Sequence, residues 1–157
     1  KGEKQNYVQM ASLLLKKGQG VIVLPKDLVA ALDENPASAK IVNLAAGETI
    51  PGERWKFLDI GPRTIEEYSS VLAEARTVFA NGPMGLFEKE QFAVGTKKLA
   101  EVMIASGATT VIGGGDTESI VTRYGWEGKF THVSTGGGAS LEFLAGHEFP
   151  VTKYLVK

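Results

Sequence analysis

The chain has 157 residues, with 17 Lys and Arg against 18 Asp and Glu and no cysteine. This length fits one domain that buries about two-thirds of its unfolded surface, and the near-zero net charge excludes a global attraction to nucleic acid or anionic lipid. The lack of cysteine excludes disulfides and thiolate metal sites, and no apolar run reaches the roughly 18 residues of a membrane span.

A cytoplasmic protein with no membrane or nucleic-acid partner is expected, and the start at Lys1 suggests a piece of a longer chain or an engineered one. The 19 glycines are the unusual count. Many follow β-like runs, where missing Cβ atoms let backbone approach a ligand.

Val8, Ala11, Leu14 and Leu15 fall at helical spacing, so a helix is predicted from about Tyr7 to Lys17, ended by Gly18 and Gly20. Val21-Ile22-Val23-Leu24, ended by Pro25, reads as a strand covered on both faces in a parallel sheet. Ile41 to Leu44 is a weaker strand candidate, with turns at Gly47, Pro51 and Gly52. Phe57 to Ile60 leads into Gly61-Pro62 and a helix with Ile65, Tyr68, Val71, Leu72 and Ala75 on one face; Pro62 suits a first helical turn. Thr77 to Ala80 is the next strand, and 90–105 a second amphipathic helix. Thr109 to Ile112 precedes a shorter helix through about Tyr124. Thr131 to Val133 precedes a helical turn from Ala139 to Leu144. This alternation predicts an α/β fold with a parallel sheet and helices on both faces, a Rossmann-like three-layer sandwich. Ligands then bind outside the carboxyl ends of the strands.

Gly113-Gly114-Gly115-Asp116-Thr117 joins a strand to a helix, where converging N–H groups and the helix dipole favour phosphate. Asp116 places a carboxylate there for Mg²⁺ shared with substrate phosphates. A plain glycine-rich turn with Asp116 as N-cap accounts for the same residues. Ser134-Thr135-Gly136-Gly137-Gly138-Ala139-Ser140 repeats the setting, and two such loops in one sheet point to phosphate binding. Neither is a Walker loop or a dinucleotide fingerprint. Asn81-Gly82-Pro83-Met84-Gly85-Leu86-Phe87-Glu88 follows another strand. Asn81 and Glu88 are able to bond a ligand, Glu88 accepting from a ribose, but on spacing alone the turn reading with an exposed acid comes first. His132 reads as a satisfied strand residue, Lys97 and Lys98 as a solvated face, and Trp55 and Trp126 as partly buried packing.

In order, Leu58-Asp59-Ile60-Gly61-Pro62, Asn81 to Glu88, Gly113 to Thr117 and His132 to Glu142 resemble the C-terminal domain of phosphoglycerate kinase. The resemblance runs to about Pro150. It implies reversible phosphoryl transfer between 1,3-bisphosphoglycerate and ADP in glycolysis, with Mg²⁺ on the ADP or ATP. By this resemblance Asn81 and Pro83 line the nucleotide cleft, Glu88 holds the ribose, and Asp116 engages the magnesium-nucleotide with Thr117 nearby. Gly113, Gly114 and Gly115, together with Gly136, Gly137 and Gly138 and flanked by Ser134 and Thr135, face the phosphoryl path; Gly114 and Gly137 are the catalytic candidates.

The chain is then expected to be one partial nucleotide-binding domain, 1–157, with a divergent or appended tail at 149–157. The 3-phosphoglycerate site is expected on an N-terminal domain outside it, as is a Gly-Gly-Ala-Lys loop. The isolated chain is expected to bind nucleotide at most, or to be a non-catalytic truncated or engineered module, with a homodimer plausible through an uncovered sheet edge.

Overall fold

The structure, a computed structural model, describes residues 2–149, the side chains of 2–5 and 117 excepted. Of the expected tail 149–157, all but Phe149 lies outside the described residues. Helix α1 (Gly2–Lys17) opens the chain, and β1 (Asp27–Leu32), β2 (Lys40–Asn43) and β3 (Trp55–Ile60) form one sheet. Next come α2 (Pro62–Glu74), β4 (Thr77–Asn81), α3 (Val94–Ala105), β5 (Thr109–Gly113), α4 (Gly115–Arg123), β6 (His132–Ser134) and α5 (Gly138–Leu144). Strands β4, β5 and β6 pair in parallel, in that order. The fold is thus mixed α/β with a parallel sheet flanked by helices. Among the described residues no helix is long and apolar enough to cross a membrane.

The first sheet is antiparallel, ordered β2-β1-β3, a pairing the sequence does not announce. Its turn is Leu32 to Asn35, closed by Asn35 N donating to Leu32 O at 2.9 Å. Both central residues have positive φ, Asp33 at 47° and Glu34 at 59°, the pattern of a I′ turn made without glycine. Charge holds it in place, with Asp33 paired to Arg54 and Glu34 to both Lys56 and Lys89.

Val21 to Leu24, expected as a buried strand, is not one. The four side chains are between 42% and 82% exposed, and the first strand begins at Asp27. An apolar run becomes a strand by pairing, and no described strand pairs with this one. Its start is instead held in a turn, with Val21 N and Ile22 N both donating to Gly18 O at 2.9 Å. His132, expected as a satisfied strand residue, is exposed at the first position of β6.

Helix α3 buries Gly95, Thr96, Leu99, Ala100 and Met103, a stripe at i, i+4 spacing. Ala100 and Met103 join Val78, Ile112, Val121 and Phe130 in the largest core cluster. β5 and β6 are aligned by two threonines that exchange hydrogen bonds. Thr110 N donates to Thr131 Oγ1, and Thr131 N to Thr110 Oγ1, each at 3.0 Å.

Helix α2 begins as its sequence predicts, with Pro62 in the first turn, but it is capped from a distance. Gly61 has no side chain to cap it, and Asp27 of β1 takes the role. The Asp27 carboxylate accepts from Thr64 N at 2.8 Å, Thr64 Oγ1 at 2.7 Å and Arg63 N at 3.2 Å. Asp27 is 1% exposed and Thr64 is fully buried. Burial pushes the Asp27 carboxyl up, but the hydrogen bonds from Thr64 and Arg63 outweigh it and hold the group below its ordinary 3.8. A carboxylate held below its unfolded value stabilises the fold above that value, and the stabilisation is lost as pH falls through the lower folded value. Asp27→Ala is expected to lower the unfolding free energy at pH 7 by roughly 2–4 kcal/mol. In urea denaturation the gap from the parent chain is expected to narrow as pH falls below 3.8.

Candidate functional site

The carboxyl ends of the parallel strands lie level. The register pairs Asn81 with Gly113 and Gly113 with Ser134, so the residues that open three loops form one row along one edge of the sheet. Gly113 is buried within it; a Cβ there would stand 2.9 Å from Phe79 Cζ and 3.4 Å from Asn81 Oδ1.

Beyond the row the chain turns sharply at two glycines. Gly114, the N-cap of α4, has φ 106° and ψ 142°; Gly137, the N-cap of α5, has φ 44° and ψ −116°. L side chains rarely adopt these values, which is why glycine stands at both. The two turns lie close together, since a Cβ added to Gly137 would reach contact distance, 3.8 Å, from Gly114 Cα. Both N-cap residues are glycines, so neither helix has a cap from its own N-terminal residue. Among the described residues, a Cβ at Gly115 or Gly138 would meet nothing within 4 Å.

Asp116 lies in the first turn of α4 and is exposed, and Thr117 follows it in the same turn. On the β6 side, Ser134 Oγ is 2.8 Å from Ser140 Oγ and accepts from Gly136 N at 3.3 Å. Thr135 is exposed. The arrangement combines first-turn N–H groups at a positive helix end with one carboxylate at the same turn. Such a set fits an anion that brings its own cation. Among the described residues no three His, Asp or Glu gather to hold a metal by themselves, so a cation beside Asp116 would take most of its oxygens from the ligand and water.

The structure therefore brings together Asn81, Gly113 to Asp116 and Ser134 to Gly138. Pro83 and Glu88 lie on the loop that follows Asn81. Pro83 borders a hollow of about 350 Å³ with Leu28, Leu58, Asp59 and Met84. Glu88 is exposed, and its carbonyl accepts from Arg123 Nη2 at 3.2 Å, beside the last turn of α4. Ser140 is the neighbour that sequence reasoning passed over; its signal was a second serine across the glycine triplet from Ser134.

A profile of the family described as phosphoglycerate kinase matches residues 2–147. The chain is 44% identical over 147 residues to the phosphoglycerate kinase of Rubrobacter xylanophilus, and 47% identical over 153 residues to that of Fervidobacterium nodosum. Each match covers 94% of this chain, with 37% and 38% of those proteins respectively. Among solved structures, phosphoglycerate kinase from Coxiella burnetii superposes with a TM-score of 0.80 at 33% identity, over 94% of this chain and 38% of that one. The enzyme from Pyrococcus horikoshii OT3 does so with a TM-score of 0.78 at 34% identity, over 97% and 36%. The chain spans a little over a third of the length of the relatives it matches. By its match over nearly its whole length, the chain belongs to the phosphoglycerate kinase family.

Proposed function

We propose that this chain is the nucleotide-binding part of a phosphoglycerate kinase. In the parent enzyme a phosphoryl group leaves the carboxyl oxygen of 1,3-bisphosphoglycerate and bonds to the terminal phosphate oxygen of Mg-ADP, giving 3-phosphoglycerate and ATP. The reverse step returns it. The observation that carries this reading is the close approach of two positive-φ glycine turns, each opening a helix at level strand ends.

Such a transfer needs positioning and charge stabilisation more than a covalent group on the protein. The N–H groups of the first turn of α4 are suited to the nucleotide phosphates, and the Gly136 to Gly138 backbone to the travelling phosphoryl oxygens. Asp116 would hold Mg²⁺ that the nucleotide brings, and the cation would neutralise phosphate charge. Ser134 and Thr135 add hydroxyl donors beside this path, Asn81 borders it on the β4 side, and Glu88 would accept from ribose hydroxyls. The phosphoglycerate site belongs, on this reading, to the length of the relatives that the chain does not span.

Calorimetric titration with Mg-ADP tests the reading. Magnesium-dependent binding is expected, weakened about tenfold or more in Asp116→Ala and lost in Gly114→Ala, which forces a side chain onto φ 106°. No binding by a well-folded chain would leave it a non-catalytic module. A coupled kinase assay of the chain alone is expected to show no turnover.

A second copy of the chain is the proposed protein partner. Among the described strands β4 is an edge of its sheet, and a cavity of about 370 Å³ beside it is lined by Val21, Val23, Val78 and Leu99. One chain thus offers both an open strand edge and an exposed apolar run with its backbone unpaired by any described strand. Sedimentation velocity is expected to show mass rising with concentration, and Val21→Glu, at a position 82% exposed, to restore a monomer. A parent chain that stays monomeric throughout excludes the dimer.

A further inference from the structure

The loop carrying Pro83 and Glu88 lies against the end of β3 and the start of α3. Leu86 N donates to Leu58 O at 2.8 Å, and Met84 N donates to Thr96 Oγ1 at 3.0 Å. Between these two tethers the loop touches a buried acid. A Cβ at Gly85 would stand 2.6 Å from Asp59 Oδ1, 2.6 Å from Leu58 O and 2.4 Å from Phe92 O, so nothing larger than glycine fits without moving the loop.

Asp59 is 3% exposed. Its Oδ1 accepts from Ile60 N at 2.8 Å, and its Oδ2 accepts from Gly95 N at 2.9 Å in the first turn of α3. A Cβ at Gly95 would stand 2.4 Å from the same Oδ1. Helix α3 has no cap from its own N-terminal residue, and Asp59 supplies the acceptor from across the sheet. Burial pushes the Asp59 carboxyl up, and N–H groups of Gly95, Ile60 and Val94 pull it back in part. A buried acid served by backbone N–H groups is expensive unless each bond is made. Here the bonds join β3 to the first turn of α3, at the point where Gly85 packs.

We infer that Asp59 is a positioning residue for the nucleotide loop. By fixing the first turn of α3, and with it Thr96 and Gly85, against β3, it sets where Pro83 and Glu88 stand relative to the glycine turns. The clamp is a property of the free chain; its service to a nucleotide rests on the function proposed above.

The test is amide hydrogen exchange by NMR on Asp59→Asn, whose amide nitrogen is unable to accept a hydrogen bond. Met84, Leu86 and Gly95 are expected to exchange at least about tenfold faster, while Gly61 and Val111 keep their rates, and Mg-ADP affinity is expected to fall with the loop. Unchanged exchange at Met84 and Leu86 overturns the inference, as does an equal acceleration at every amide, which marks a general stability role. A parent chain that binds no Mg-ADP while the variant still shows the local pattern sinks the nucleotide reading, and with it the service to the nucleotide, but leaves the clamp. Where Asp59→Asn does not fold, native-state exchange of the unaltered chain decides. Met84, Leu86 and Gly95 are expected to open as one unit with one denaturant dependence, and separate openings overturn the clamp.

Discussion

The register of the parallel sheet is the constraint from which the site follows. The paired side-chain and backbone bonds between Thr110 and Thr131 sit just before β6 and leave little freedom for the strands to slide. A slip of one residue would turn core side chains such as Ile112 toward the opposite face. It would also offset Gly113 from Ser134 and part Gly114 from Gly137. Packing and site geometry are thus fixed by one alignment, and the core enforces what the loops need.

The helices divide into two kinds according to how their first turns are satisfied. α2 and α3 receive buried carboxylates from the antiparallel sheet, Asp27 for one and Asp59 for the other. α4 and α5 begin at glycines, which have no side chain with which to cap them. Donors at a helix start seek an acceptor. Where the protein supplies a buried one, the helix is a scaffold; α5 instead turns Ala139 N and Ser140 N back onto Gly136 O and Gly137 O. The antiparallel sheet thereby braces helices on which the parallel sheet rests, although it contributes no residue to the row of strand ends.

What the sequence made legible was local. β4, β5 and β6 announced themselves through short apolar runs broken by glycine, and Pro62 marked the start of α2. The level row of Asn81, Gly113 and Ser134 followed once parallel pairing was assumed. The antiparallel sheet was hidden because Asp33 and Glu34 take left-handed backbone without the glycine or asparagine that normally signals it. Val21 to Leu24 misled for a different reason: an apolar run states a preference for burial, and only a partner turns it into a strand. The roles of Asp27 and Asp59 were illegible because each is a single acid whose partners stand 36 or 37 residues away. Glu88 was legible as an acid after a turn, but its place beside Arg123 was not.

The exposed run from Val21 to Leu24 has features of a segment that stacks into fibres, being uncharged and mostly β-branched. Its surroundings work against that outcome. Lys16 and Lys17 precede it, Pro25 ends it with a residue that has no N–H to offer, and Lys26 follows. Each added copy would bring more positive charge and another broken ladder to the same stack. Such flanking residues act as gatekeepers: they tolerate a single pairing event and penalise endless repetition of it.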